Sequence, residues 1–461
     1  MSEDSTIIST GSTSSFQHSS ELKEKANIAV CSSPDTVATA CESSENVSQI
    51  TLKEECHDFP EGGTRAWLVT LGSFLGLVAL SGLVNSLGVF QTYVQTNQFS
   101  HLSTSTVAWI FSVNIFVCYF GSIFFGRVFD AYGHFWQCAI GTVLYVGCFI
   151  ILSFCPNSYG AFIALFGIGV GLGCSMLMTP QITIVGHWFL QRRGEAIGLA
   201  TAGGSVGGVI FPLMLRSLFE KVGFAWATRI FAFTCLFVLI LSLILMKGRF
   251  ASKDLTFKSL MQEALDLSAL KDRRYTGVVI AVLFCELSLL NFLTYIASYG
   301  VSVGMSENSS YLLVTVASAT GVVGRWLPGL VADKVGRFNT MIITTIVLCI
   351  LNFGVWLPFG ENHTVLYLLS AFYGFFLNSV LSLTPVCCGQ VCRTEDFGKR
   401  YGTMYFIQSF GVLIGIPITG CLVKNDNYQK LVLFNGVIGL CGLLTWLFAR
   451  HACVGFRLCK V

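Results

Sequence analysis

The chemistry available to this chain sits in a few charged side chains set into otherwise apolar runs. Arg325 lies inside one such run, near 311–331, and Glu286 is the one carboxylate well inside another, near 276–299. A charge in hydrocarbon is costly, so such an arginine faces protein or water and marks function by default. Its planar fork suits a carboxylate or another planar anion. A structural ion pair or snorkelling is the alternative, because Arg325 precedes Val331 by only six residues, roughly 9 Å of helix. Glu286 lies ten residues past Thr276, about 15 Å along a helix. That depth makes it a candidate proton carrier or a partner for Arg325, with a silent structural hydrogen bond equally open. Asn85, Gln181, Asn291 and Asn378, together with Asn114 and Gln408, punctuate other runs. The first four are substrate-binding or coupling candidates, although hydrogen bonds between helices explain each as well. No HExxH motif or phosphate-loop ending is present. The expectation is a chain that is not an enzyme and takes no cofactor or metal.

These side chains need membrane-spanning helices to hold them. Of 461 residues, 53% are hydrophobic and only 11% charged, with mean hydropathy +0.69; soluble proteins carry about a quarter charged residues. A bilayer core about 30 Å thick takes roughly 20 apolar residues per helix. Such runs recur near 66–91, 107–127, 135–154, 159–186, 195–215, 224–246, 276–299, 311–331, 340–358, 364–388, 401–423 and 430–449. The fold class is therefore an all-α polytopic membrane protein with 12 transmembrane helices. The 18 cysteines lie mostly within these runs without metal-ligand spacing, where cysteine acts as a small hydrophobe.

The chain divides into five stretches. Residues 1–60 form a Ser/Thr-rich tail, with eleven of the first twenty residues Ser or Thr, too polar to offset its ordering entropy and expected to be disordered. Residues 61–246 carry six spans and residues 276–450 six more. Between them lies a central loop, 247–275, in which LTFKSLMQEALDLSALKD has apolar residues at helical spacing. That pattern fits a helix along the membrane face or an amphipathic linker beneath the bundle. A short tail, 451–461, closes the chain. Arg127, Arg192, Arg193, Lys334, Arg337, Arg393, Lys399 and Arg400 all fall in connections on one side, against Arg216, Lys221, Lys424 and Lys430 on the other. Basic residues stay preferentially on the cytoplasmic side, so both termini are expected to be cytoplasmic, with the plasma membrane the preferred location and an internal membrane such as the vacuole the other.

The two six-span stretches look duplicated. Gly121, Gly126, Val128, Asp130, Gly133 and Phe135 recur 203 residues later as Gly324, Gly329, Val331, Asp333, Gly336 and Phe338, while Ser122 stands where the second copy has Arg325. Met178–Gln181 (MTPQ) recurs at an offset of 205 as Leu383–Val386 (LTPV), and a basic turn opens the fifth and eleventh spans alike. Internal parallel repeats mark a transporter architecture with solute bound near the midplane between the halves. Asp130 and Asp333, beside Arg127 or Arg337 and near helix N-termini, are read as gates that close the cytoplasmic side by charge and dipole contacts. Rows of small residues, Gly194, Gly198 and Ala202 among them, let helices approach closely.

The turn motif of Gly126, Arg127, Asp130 and Gly133, and its second copy Gly329, Asp333, Gly336 and Arg337, resembles that of the major facilitator superfamily. Within it the chain resembles the monocarboxylate porters, the fungal branch in particular. Their opening motif is matched by Glu61, Gly62, Gly63 and Trp67, and their motif between the fourth and fifth spans by Trp188, Phe189, Arg192, Arg193, Gly194 and Gly198. The resemblance implies secondary transport of a small organic solute, monocarboxylate-like or another anionic or planar metabolite, by alternating access with proton coupling. An efflux or facilitative carrier for a metabolite such as riboflavin or a secondary metabolite is the alternative. A non-transporting nutrient sensor is the reading from another class. Animal members carry a lysine near the position of Asn85 and an aspartate where this chain has Gly321, so the resemblance does not extend to a monocarboxylate as ligand. The partners implied are the solute, protons and the lipid bilayer, without nucleic acid.

Overall fold

The computed structural model describes residues 59–249, 267–422 and 428–455. The segment expected to be disordered lies outside the described residues up to position 58, as does the 250–266 part of the central loop, to which the sequence assigns an amphipathic helix.

All regular structure among the described residues is helical. In chain order the long helices are α1 (Gly63–Asn97), α2 (Thr104–Tyr132), α3 (Phe135–Leu152) and α4 (Tyr159–His187). A single run of 53 residues, Arg193–Leu245, is broken at Gly223, whose φ of 70° and ψ of 178° no helix accepts. It yields α5 (193–222) and α6 (224–245). The second set is α7 (Arg273–Ser302), α8 (Glu307–Val335), α9 (Arg337–Phe359), α10 (His363–Gln390), α11 (Phe397–Leu422) and α12 (Tyr428–Val454). Most overrun the expected spans, because capping keeps the terminal turns helical outside hydrocarbon. Ser103, Asp272, Ser306 and Asn362 each accept a bond from a first-turn N–H.

Large apolar side chains such as Trp136, Val143, Phe154, Phe237 and Ile244 stay exposed on the outer faces, as a lipid-facing surface requires. Inside the first set of helices, Phe90 meets Phe149, Phe166, Phe219 and Phe231. In the second set Phe292, Tyr373 and Trp356 form a corresponding centre. The two sets meet chiefly where α5 runs along α8 and α2 along α11. The proximal end of the molecule is the one at which α1 begins and α12 finishes.

Small residues make these two seams possible, and they do so twice over. A Cβ on Gly126 would strike the carbonyl oxygen of Gly398, and one on Gly329 would strike that of Gly194. One turn further in, Gly402 faces the Ser122 carbonyl and Gly198 the Arg325 carbonyl. Positions 126 and 329, 194 and 398, and 198 and 402 are thus pairs related by an approximate twofold axis. The register corrects one expectation. The basic turns at Arg192–Arg193 and Lys399–Arg400 are not equivalent, since Gly194 pairs with Gly398 and so places Arg193 opposite Phe397. The Arg193 guanidinium lies 5.7 Å from the Phe397 ring centre.

Candidate functional site

At the proximal end each half caps a helix of the other. Asp130, at the end of α2, accepts from the N–H groups of Gly398 (3.0 Å) and Lys399 (2.6 Å) at the start of α11. Asp333, at the end of α8, accepts from Gly194 (2.9 Å) and Glu195 (2.8 Å) at the start of α5. A helix N-terminus has unpaired N–H groups and a partial positive charge, so a carboxylate satisfies both at once. Gly133 and Gly336, with φ of 77° and 113°, end α2 and α8 in a backbone shape that favours glycine. The motif glycines therefore end the helix just past the aspartate, while Gly126 and Gly329 let the capped helix come close enough. Arg337 lies 3.8 Å from Asp333 and donates to the Leu190 carbonyl; Arg127 is buried on α2. The proximal end is closed.

The motifs at Glu61 and at 188–198 form one structure. The Glu61 carboxylate accepts from the N–H groups of Leu190 (2.8 Å), Gln191 (2.7 Å) and Arg192 (3.1 Å). Trp67 packs on Phe189, with ring centres 5.1 Å apart, and Arg192 lies over Trp67. Gly62 and Gly63, both at positive φ, turn the chain from Glu61 into α1. Removing the carboxylate by Glu61→Ala is expected to speed hydrogen exchange of the three amides at least about fivefold, since one lost bond is worth about 1 kcal/mol. Peptide-level exchange over 188–194 checks this, and unchanged protection there would rule the cap out. Arg193 ties the halves together by a third route. It is buried and donates to Gly389 O (2.7 Å) and Thr394 Oγ1 (3.0 Å) across the seam. A cleft of about 670 Å³, lined by Arg192, Glu195, Asp333, Lys334, Arg337 and Gln390 among others, opens on this proximal face. It lies beside the Asp333 cap, apart from the buried charges deeper in.

Deeper in, Arg325 and Glu286 lie at similar depth. Arg325 is ten residues from Val335 at the proximal end of α8 and Glu286 thirteen from Arg273 at that of α7, about 15 and 20 Å of helix. Arg325 Nε donates to Asn378 Oδ1 (2.9 Å) and Nη1 to the Thr201 carbonyl (2.8 Å). Asn378 Oδ1 also accepts from Ser205 (3.3 Å). The guanidinium therefore joins α8 and α10 of one half to α5 of the other. Two of its five N–H donors are used, and Nη2 has no protein acceptor among the described residues. Glu286 accepts from the Tyr405 hydroxyl at 2.8 Å; among the described residues no ion pair joins it to Arg325. Glu286 thus has a hydrogen bond to Tyr405 in place of the expected pairing with Arg325. Tyr119 packs edge-on against Tyr405 and Tyr401 lies 4.7 Å from it. Phe116 and Phe120 meet Phe406 and Phe410 in the same α2–α11 seam, toward its outer side, where Phe410 is exposed.

The other candidates fall at varied distances from this centre. Asn378 is part of it. Asn85 bonds back to Ser81 at 2.8 Å and faces Gly208, one turn beyond the Gly204 position at which Ser81 and Arg325 meet. Asn291 lies in the α7–α11 seam, accepting from Thr419 at 2.9 Å. Gln181 is engaged within the first half, exchanging bonds with Ser242 of α6 and resting against Gly76 of α1. Asn114 bonds the Phe166 carbonyl. Sequence reasoning missed Tyr405, Tyr401, Thr201 and Ser205. The spacing of Tyr401, Tyr405 and Gln408 at i, i+4 and i+7 marks one helix face and carried a usable signal. Thr201, which contributes a backbone carbonyl, carried none.

Two related helical halves, reciprocal caps closing one end and two buried charges at mid-depth that do not pair with each other define an integral, multi-pass membrane carrier. The chain belongs to the major facilitator superfamily, whose sequence pattern matches residues 66–360 and 327–453. It is 43% identical over 426 residues to the riboflavin transporter of Saccharomyces cerevisiae, covering 88% of this chain and 81% of that one. It is 32% identical over 396 residues to the aspyridones efflux protein of Emericella nidulans, covering 84% and 78%. Among solved structures it is similar to a proton:xylose symporter, with TM-score 0.69 at 15% identity over 84% of this chain and 96% of that one. It is also similar to a human organic anion transporter, with TM-score 0.64 at 16% identity over 84% and 100%. At these identities the structural likeness speaks for the fold.

Proposed function

We propose that this transporter carries a planar, ring-containing organic solute of the riboflavin kind by alternating access, with proton coupling through Glu286. The observation that carries the substrate class is the mid-depth centre, where Arg325 and the Glu286–Tyr405 pair sit beside the rings of Tyr119 and Tyr401. Aromatic faces stack on a planar ring while a few polar groups fix its orientation. The 43% identity to a riboflavin transporter supports the same reading. The efflux relative supports a wider class of aromatic secondary metabolites. A small aliphatic monocarboxylate has less support, although the resemblance to monocarboxylate porters favours that branch of the superfamily. The division into residues 61–246 and 276–450 supplies the two bodies that rock. Asp130 and Asp333 hold the closed proximal side, which the Lys/Arg bias makes cytoplasmic, with the plasma membrane as the site of action.

Counterflow of radiolabelled riboflavin into vesicles containing the purified chain tests this reading. Saturable counterflow is expected in the wild type, and binding without counterflow would favour a sensor. Glu286→Gln keeps an acceptor for Tyr405 while removing the titratable group. It is expected to leave riboflavin exchange within about threefold of wild type but to abolish the dependence of net uptake on an imposed pH gradient. Uptake that still follows the pH gradient in Glu286→Gln would remove Glu286 from the coupling step.

A further inference from the structure

The face that α11 turns to the centre of the molecule contains a polar side chain with no partner. Gly398 and Gly402 face α2 and Gly411 and Gly415 face α7, against Leu283 and Leu287. Between these two edges, at helical spacing, lie Tyr401, Tyr405 and Gln408, all buried. Gln408 is 1% exposed, and neither Oε1 nor Nε2 has a hydrogen-bond partner among the described residues. It lies eleven residues from Phe397, about 16 Å from the proximal end of α11, level with Arg325. Leaving a buried carboxamide unpaired at both ends is costly, and a ligand that pairs it at this depth would remove that cost.

The approximate twofold axis sharpens the assignment. Position 204 corresponds to 408, at the offset that relates Gly194 to Gly398 and Gly198 to Gly402. A Cβ on Gly204 would lie 2.6 Å from Arg325 Nη1, so in the first half that space is taken by the guanidinium reaching from α8. The counterpart of Arg325 is Ser122, whose short side chain bonds back to the Cys118 carbonyl at 3.1 Å. The second half therefore presents a carboxamide at the seat related by symmetry to that of the guanidinium.

We propose that Gln408 is a specificity-determining residue whose carboxamide pairs with the imide edge of the solute ring, Nε2–H to a ring carbonyl and Oε1 from the ring N–H. This rests on the riboflavin-type reading above and adds which edge of the ring is recognised. One donor beside one acceptor matches the N–H and C=O of a cyclic imide, as carboxamides match base edges elsewhere. A site built to bond such a group discriminates strongly against an analogue that lacks it.

The test uses the full chain in vesicles and compares riboflavin with its N3-methyl derivative as competitors of riboflavin counterflow. The wild type is expected to prefer riboflavin by at least about tenfold, because methylation leaves Oε1 unpaired. Gln408→Met, similar in length and apolar, is expected to bind riboflavin at least about tenfold more weakly and to prefer neither ligand by more than about twofold. The ratio is independent of how much protein inserts. Gln408→Leu, also without the acceptor, gives the same comparison if the methionine variant fails to insert, with the preference again expected to fall to within about twofold. A wild-type ratio in both variants would overturn the assignment, as would riboflavin counterflow by the wild type without any preference. A wild type with no riboflavin counterflow would instead overturn the parent reading, and this one with it.

Discussion

Gly329→Ala is expected to reduce flux about 10- to 100-fold while leaving the protein folded and inserted. The added Cβ would strike the carbonyl oxygen of Gly194 and lie 2.8 Å from its carbon. Those atoms are backbone of the facing helix, so no side chain can turn away to make room. Overpacking of this kind costs roughly 1–3 kcal/mol, and each 1.4 kcal/mol is about tenfold in an equilibrium. The contact exists only when α5 and α8 are drawn together, so the cost falls on the proximally closed state, with its Asp333 cap. Flux measured with Gly88→Ala as a control, where an added Cβ meets nothing within 4 Å, separates this from a general cost of removing glycine. Maleimide labelling of Cys387, fully buried on α10, is expected to rise in Gly329→Ala. Wild-type flux together with wild-type labelling would mean that the seam tolerates the methyl and the gate does not depend on it.

Arg325→Ala is expected to cost on the order of 100-fold in transport, as the loss of charged hydrogen bonds worth about 1.5–3 kcal/mol each predicts. Arg325→Lys is expected to recover less than about a tenth of wild-type flux. The guanidinium reaches Asn378 on α10 and the Thr201 carbonyl on α5 with two different nitrogens. A lysine ammonium is a single point on a flexible stem, without the fixed fork that spans both acceptors. The informative reading is therefore the lysine variant. Near-normal flux in Arg325→Lys would assign the position a purely electrostatic role and remove the argument that its geometry matters.

Frame and content of this carrier follow different rules. The pair of caps at the proximal end is symmetric because both copies meet the same two demands. A carboxylate must reach a helix N-terminus, and a glycine must let that helix approach. The centre has diverged, with Arg325 set against Ser122 and Gln408 against Gly204. Only the frame has to be the same for the two halves to pack as matched bodies, so the residues at the centre are free to differ.

The sequence alone determined the class, because twelve apolar runs and a low charged fraction leave a chain of spanning helices as the solution. It also marked the residues of the two reciprocal caps, since the turn motif is local and appears twice at a constant offset. Glu286 and Arg325 were visible for the same reason, as charges where charge is expensive. Only the tertiary structure decided their partners. That Glu286 meets Tyr405 and not Arg325, or that Glu61 caps a loop 129 residues away, depends on which helix faces turn toward one another. Gln181 and Gln408 look alike in sequence, each a glutamine in an apolar run. The fold gives Gln181 a partner in Ser242 and leaves Gln408 without one among the described residues, because polar satisfaction is set by neighbours distant in the chain.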